Sequence, residues 1–320
     1  MGASQSPIRI GLDTRHCQWD KTGGSTVEGS AALVLEGGGF RGIFTAGALD
    51  VMQEHGIYGF GSVWGVSAGA INAASYKSKQ IGRGMRIILA FRDDRRFMSL
   101  WSWATTGNIA GADFMYDEIQ NHIDPCDNET FNSNPMRMYA VATDTVFGTA
   151  AYLPCEHFPE DVIKVRASAS LPMVSNRVEI NGHRYLDGGT ADSIPYAVAL
   201  GLEGTPKVKG HAPAQRAVVI ATRERGYIKT PKTEQMYLRS HRYDGYDYYT
   251  DALISRADRY NESRRQMFEL EEQGRVLIIE PPKPVEVGNT GADGQKLLEL
   301  YLQGRTAATQ KLDQIREFAS

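Results

Sequence analysis

The stretch Ser62-Val63-Trp64-Gly65-Val66-Ser67-Ala68-Gly69-Ala70 constrains this chain more than any other. A short apolar run ends in Gly-x-Ser-x-Gly and passes at once into Ala70-Ile71-Asn72-Ala73-Ala74, which reads as helix. A strand that turns this abruptly into a helix forces the serine into a strained conformation. Gly65 and Gly69 relieve the crowding on either side of it. The Ser67 hydroxyl is then held at the carboxyl edge of a sheet, near the positive end of the helix that follows. Such a turn is a nucleophile elbow.

The flanking sequence supplies the rest of a parallel α/β sheet. Ala31 to Leu35 is a short apolar run suited to a buried parallel strand, and it ends in Glu36-Gly37-Gly38-Gly39-Phe40-Arg41-Gly42. A helix with an apolar face follows and stops near His55-Gly56. Helices are expected over Arg83 to Phe91, Asp113 to Ile123 and Asp161 to Ser170. Met138 to Asp144 reads as a strand, with Thr149 to Leu153 as its hairpin partner. Asn181-Gly182 between two short β runs is a two-residue hairpin turn, and its second arm runs into Asp187-Gly188-Gly189. A helix begins near Ile194. Ala217 to Ala221 and Val276 to Ile279 are further interior strands, separated by a charged, tyrosine-rich helical stretch from about 234 to 273. The expected division is an arm over 1–29, an α/β domain over 30–280, and a helical extension over 281–320 opening at Pro281-Pro282-Lys283-Pro284.

Acyl transfer needs a nucleophile, a base and donors for an oxyanion. Ser67 is the candidate nucleophile. Gly37, Gly38, Gly39, Phe40, Arg41 and Gly42 sit between a strand and a helix start, where backbone N–H groups are unpaired and glycine permits close approach. One oxyanion donor contributes roughly 3–4 kcal/mol to transition-state stabilisation. Arg41 either locks this loop, faces an anionic group, or is an exposed charge. Of the 7 histidines, His211 and His241 follow Asp187 in the usual hydrolase order, but both lie in polar stretches that read as loop or surface, and His183 belongs to the hairpin turn. Asp187 instead stands at a strand end, with Gly188 and Gly189 allowing its carboxylate to approach another loop. A two-residue Ser–Asp machine is therefore favoured, provided desolvation raises a carboxyl pKa that is ordinarily about 3.9.

Glu36 to Gly42, Gly65-Val66-Ser67-Ala68-Gly69 and Asp187-Gly188-Gly189, in that order, resemble the patatin-like phospholipase family. Ala167-Ser168-Ala169-Ser170-Leu171-Pro172 adds to the likeness. The resemblance implies a three-layer α/β/α, mostly parallel sheet and calcium-independent hydrolysis of lipid acyl esters without a cofactor or metal. It further implies attack by Ser67, proton transfer to Asp187, and an oxyanion held by the glycine loop. It covers about 31–200, with the sheet extending toward residue 279. A general carboxylesterase or thioesterase is the nearest alternative. Gly37-x-Gly39-x-x-Gly42 also fits a dinucleotide fingerprint, but the second strand ends without the carboxylate that would hold a ribose. A scaffold that keeps the fold without catalysis is the remaining rival.

Charge and cysteine content bound the partners. Lys and Arg number 35 against 38 Asp and Glu, which excludes a bulk polycation for nucleic acid. Cys17, Cys126 and Cys155 show no disulfide or zinc spacing. No apolar run is long enough to span a bilayer and no leader begins at Met1, so a cytoplasmic protein is expected, with peripheral membrane contact at most. Met1 to Ser6 satisfies the N-myristoylation pattern, one short enough to arise by chance. Arg95 to Trp103 interleaves bulky apolar and polar groups. It reads either as an amphipathic connector packed on the core or as a membrane-seeking rim built on Phe97, Trp101 and Trp103.

Overall fold

The apolar runs assemble side by side in the computed structural model, which describes residues 31–288, apart from 232–234, 236 and 238, and residues 293–320. The expected arm over 1–29, with its acylation pattern and Cys17, lies outside the described residues. The described elements, in chain order, are β1 (Ala31–Leu35), α1 (Gly42–Glu54), β2 (Ser62–Val66), α2 (Ala68–Lys77), α3 (Arg83–Phe91) and α4 (Leu100–Thr106). A wide helix over Phe114–Ile123 precedes α5 (Asn128–Ser133), β3 (Arg137–Asp144), β4 (Ala150–Cys155), α6 (Val162–Ser168), β5 (Val178–Ile180) and β6 (His183–Asp187). The chain continues through α7 (Tyr196–Ala199), β7 (Arg216–Ile220), α8 (Asp247–Ile254), α9 (Arg256–Glu272), β8 (Val276–Ile279), α10 (Gly294–Gln310) and α11 (Leu312–Ala319).

All eight strands form one sheet in the order β5-β6-β3-β2-β1-β7-β8, with β4 also paired to β3. The run from β8 to β3 is parallel, and β4, β5 and β6 join it antiparallel. Alternation along β1 divides the core: Ala31, Leu33 and Leu35 face one apolar cluster, Ala32 and Val34 the other. The first cluster is filled by α1 and by Leu297, Leu300, Tyr301 and Ile315 of the C-terminal helices. The second is filled by Ile194, Tyr196, Tyr260 and Met267, around Trp64 stacked on Tyr139. The sheet is thus covered on both faces, as expected.

The stretch beyond residue 280 is built into this core, which differs from the extension read from the sequence. α10 lies directly on α1, and glycine on both helices permits it. A Cβ on Gly47 would overlap the Tyr301 carbonyl, and one on Gly304 would overlap the Phe44 carbonyl. Tyr301 donates to the buried Asp50 at 2.8 Å, and Arg305 pairs with Glu54 at 2.7 Å.

One expected surface residue is also corrected. Phe97 is 3% exposed and packs against Phe40 and Phe91, with ring centroids 6.3 and 6.2 Å away. A bridge between Met98 and Ala110 folds the segment back and turns Phe97 inward. Trp101 and Trp103, on α4, remain 45% and 41% exposed. Among the described residues, no helix is long and apolar enough to cross a membrane.

Candidate active site

Ser67 joins β2 to α2 with φ 55° and ψ −122°, a strained left-handed conformation for a side chain with a Cβ. The glycines around it are there for space. A Cβ on Gly65 would come 2.5 Å from the Ala70 Cα, and one on Gly69 would overlap the Leu35 carbonyl. α2 can therefore start hard against β1 and β2, which sets Ser67 at the sheet's carboxyl edge.

Strand register brings Asp187 to the same point. Along one edge of β3, β2 pairs as far as Val66 opposite Val141. β4 occupies the other edge through Thr143, so β6, which pairs with Ala142 to Asp144, must follow β2 on the first edge. Asp187 answers Ala142, the position immediately after Val141. The residues that end β2 and β6 therefore meet head to head.

Two serines that the sequence offered only as part of a resemblance brace this meeting. Ser168 Oγ accepts from Ser67 N at 2.8 Å and donates to the Val141 carbonyl at 2.6 Å. The Ser170 carbonyl accepts from Asp187 N at 2.7 Å. Thr143 Oγ1 donates to the Asp187 carbonyl at 2.9 Å.

Asp187 is 4% exposed. Its Oδ1 accepts from Gly189 N at 2.8 Å, whereas Oδ2 is buried and closes no hydrogen bond. Burial pushes the carboxyl pKa above its ordinary value. The Ser67 hydroxyl, Gly189 N–H, Arg256 and Lys229 draw it part of the way back, so Ser67 is within interaction range although the contact is loose. Looseness of this kind is common before substrate arrives. A raised pKa suits a base. The acid limb of kcat/KM should fall above the roughly 3.9 of an ordinary aspartate, and a limb at or below that value would count against Asp187. The same shift has a stability consequence. A folded-state pKa raised above the unfolded one contributes stability that is present at low pH and lost as pH rises through the folded value. Asp187→Asn should therefore melt above wild type at pH 7, with the gap narrowing near pH 4; thermal unfolding at the two pH values measures this.

The glycine loop meets the elbow from β1. A Cβ on Gly37 would stand 3.2 Å from that of Ser67, and Gly39 takes φ 55°. Of the six expected oxyanion donors, two are withdrawn. Arg41 N donates to the Gly38 carbonyl, and Gly42 N to the carbonyls of Gly39 and Phe40, because residues 39–41 close a short 3-10 turn. The Gly38 and Gly39 N–H groups donate to no backbone carbonyl among the described residues. The Phe40 side chain is buried against Phe97.

Gly37, Gly38, Gly39, Arg41, Ser67, Asp187 and Gly189 line one cleft of about 410 Å³. A larger groove of about 890 Å³, between Pro281–Pro284 and α10, contains neither Ser67 nor Asp187. Among the described residues, no histidine lines the cleft. His211 is half-buried, edge-on to Trp64 and Tyr139, with Nε2 3.0 Å from the Ala199 carbonyl. His241 is on the surface beside Asp244, and His183 pairs with Asp144 at 2.8 Å. Sequence reasoning missed the cleft's outer wall, which comes from beyond residue 220: Arg223, Tyr227, Lys229, Arg256 and Tyr260. Arg256 Nε donates to the Gly189 carbonyl at 2.6 Å and Arg259 Nη2 to the Thr190 carbonyl at 2.6 Å, so α9 grips the Asp-Gly-Gly turn. Tyr260 donates to Glu36 Oε1 at 2.6 Å, tying α9 to the glycine loop as well.

A parallel-rich sheet with a serine elbow, a buried strand-end aspartate and a glycine loop defines a class of α/β acyl-transfer proteins. Residues 33–200 match the family described as patatin-like phospholipase, and residues 246–320 match a domain of unknown function, DUF6363. The chain is 30% identical over 286 residues to YjjU of Escherichia coli (strain K12), covering 87% of this chain and 75% of that protein. It is 26% identical over 171 residues to the NTE family protein Rv1063c of Mycobacterium tuberculosis (strain ATCC 25618 / H37Rv), covering 53% of this chain and 46% of that one. Among solved structures, VipD from Legionella pneumophila aligns with a TM-score of 0.44 and 14% identity, covering 90% of this chain and 67% of that one. The chain belongs to the patatin-like phospholipase family, and so at the level of family to the lipid acyl hydrolases.

Proposed function

We propose that the protein is a serine acyl hydrolase that cleaves acyl esters of lipids, phospholipids among them, with Ser67 and Asp187 as its dyad and without calcium. The observation that carries this reading is the meeting of β2 and β6 on one edge of β3, where Val66 and Asp187 take successive positions. Ser67 Oγ attacks the ester carbonyl while its proton passes to Asp187 Oδ2, the carboxylate oxygen left without a closed hydrogen bond. The negative charge that forms on the carbonyl oxygen is met by Gly38 and Gly39 N–H. Collapse of the tetrahedral species breaks the ester C–O bond, and the departing alcohol takes the proton back from Asp187. Water then attacks the acyl-serine, losing a proton to Asp187; the bond between the acyl carbon and Ser67 Oγ breaks, Oγ takes that proton back, and the fatty acid leaves. Base and oxyanion donors both come from the protein, which is why a calcium requirement is not part of the proposal.

The test is turnover of a p-nitrophenyl acyl series and of phospholipid vesicles with chelator present. Chelator-resistant hydrolysis of both is expected, with vesicles preferred. Hydrolysis of the soluble esters alone would favour a general esterase, and no hydrolysis of either would overturn the reading.

Lipid contact is assigned to α4. Leu100, Trp101 and Trp103 are exposed on it, and Arg95 lies 4.8 Å from the Trp101 ring centre, a pairing suited to an interface of apolar and anionic groups. Trp101→Ala with Trp103→Ala should lower vesicle hydrolysis by about tenfold, the effect of losing roughly 1.4 kcal/mol of interfacial burial. Soluble-ester hydrolysis should hardly change. Equal losses on both substrates would sink this assignment.

A further inference from the structure

A separate pocket of about 270 Å³ is lined by Arg177, Arg184 and Arg242, with Glu179 as its carboxylate among the described residues. It contains neither Ser67 nor Asp187. Arg184 Nε lies 3.8 Å from Glu179 Oε2, and both side chains are exposed, so this pair cancels little charge. Arg177 and Arg242 make no ion pair among the described residues. Guanidinium groups gathered around one small space repel each other, and an anion between them turns that repulsion into attraction.

Two of the three cations are held by neutral groups. Arg177, just before β5, donates from Nη1 to the Tyr246 hydroxyl at 3.0 Å and lies 4.1 Å from the centre of the same ring. Tyr243 presents a second ring, 5.9 Å away. Arg242 Nη2 is 3.5 Å from the Ser175 carbonyl. Aromatic faces and carbonyls orient a guanidinium without neutralising it, and its planar fork suits the oxygens of a phosphate. One stretch of chain walls both this pocket and the serine cleft. Leu171 and Pro172 line the cleft, and Ser175, Asn176 and Arg177 line the pocket. Between them Met173 takes φ 70°, a left-handed conformation for a side chain with a Cβ, and its N–H donates to the Tyr243 hydroxyl at 2.7 Å. Tyr237, which lines the cleft, packs against the apolar cluster that contains Tyr243.

We propose that Arg177, Arg184 and Arg242 form a site for a small phosphate-type oxyanion, inorganic phosphate or a short phosphate monoester, that acts as an effector of the neighbouring cleft. A space of about 270 Å³ is the share of roughly nine waters, which suits an anion on a short stem and not a two-chain lipid. An anion held by both Arg177 and Arg242 joins the stretch 173–177 to the stretch 240–246, the two that the Met173–Tyr243 hydrogen bond already ties. Occupancy thereby steadies Leu171 and Pro172 where they wall the cleft. The effect on turnover rests on the acyl-hydrolase reading; the anion site itself does not.

The test uses the full chain, with isothermal calorimetry of inorganic phosphate, glycerol 3-phosphate and uncharged glycerol. Saturable binding of the anions is expected, and none of glycerol. Arg177→Gln should weaken anion binding by about tenfold or more, the loss of one charge-assisted hydrogen bond, and Arg177→Lys should restore part of it. Arg242→Gln, at an exposed position, gives a second reading should Arg177→Gln fold poorly. Arg223→Gln, in the serine cleft, should leave binding unchanged. Tighter binding of glycerol 3-phosphate assigns the site to a monoester, and tighter binding of phosphate assigns it to the free ion. Saturating anion should also lower the KM for a neutral p-nitrophenyl ester in wild type and not in Arg177→Gln. A KM that does not respond would overturn the effector role. A rise in KM that Arg223→Gln removes would place the anion in the serine cleft and overturn the proposal. So would binding that neither Arg177→Gln nor Arg242→Gln weakens, or no saturable binding. Ester hydrolysis with no anion bound removes this inference and leaves the hydrolase, whereas anion binding with no hydrolysis removes the hydrolase and leaves the site.

Discussion

Ser67→Ala is expected to lower ester turnover by on the order of 10⁴-fold or more, because the proposed acyl intermediate forms on its hydroxyl. Asp187→Asn should cost on the order of 10³- to 10⁴-fold, since the amide keeps the shape of the carboxyl and loses only its capacity to take a proton. The two losses should not multiply in the double variant: residues that act as a unit fail together. Side-by-side kinetics on one soluble ester measure all three. The variants also separate chemistry from folding. Ser67→Ala relieves a strained backbone position only slightly, and Asp187→Asn removes a buried charge, so neither should lower the melting temperature at pH 7. Activity that survives Asp187→Asn and disappears with Ser67→Ala would place the base elsewhere.

Gly304→Leu should be strongly destabilising although it lies outside the cleft. Its side chain would have to pass through the Phe44 carbonyl, where α10 and α1 approach closely, and backbone cannot yield as a flexible side chain can. Parting the helices would also strain the buried Tyr301–Asp50 hydrogen bond and the Arg305–Glu54 pair. A loss of roughly 3 kcal/mol is expected, or about 6–12 °C in melting temperature for a domain of this size. Gly226→Ala is the matched control, because nothing lies within 4 Å of the added methyl group, and it should change stability by less than about 0.5 kcal/mol. Similar melting temperatures for the two would mean that the helix crossing is not where this fold is held.

Local chemistry made much of the architecture legible. The strands β1, β2, β3, β7 and β8 are continuous apolar runs because both faces of a parallel sheet are buried. Asn181 and Gly182 take φ 53° and 80°, the pair of positive angles that an Asn-Gly hairpin demands. The Ser67 elbow was readable for the same reason: strain, glycine spacing and the strand-to-helix switch all lie within nine residues.

What depends on distance along the chain was not readable. That Asp187 answers Ala142 follows from β4 excluding β6 from the other edge of β3, and no local pattern carries that information. Ser168 and Ser170 look like ordinary helix-end serines until the sheet brings Val141 and Asp187 beside them. Arg223, Lys229 and Arg256 sit in polar, solvated-looking sequence and reach the cleft only through the loop after β7 and the start of α9. Phe97 is open between core and membrane rim in the sequence because a single aromatic between an arginine and a methionine has no period to say which way it points.

The sheet order also fixes what can be cut. β1, inside the sheet, pairs with β2 on one side and with β7 on the other, and β7 begins sixteen residues after the family match ends at 200. A fragment ending there would leave the whole β7-facing edge of β1 as open, apolar hydrogen-bonding backbone, a template for aggregation. It would also release the Asp-Gly-Gly turn from Arg256 and Arg259. Two family matches can be told apart along this sequence, yet the contacts that hold the turn after the aspartate run from one to the other.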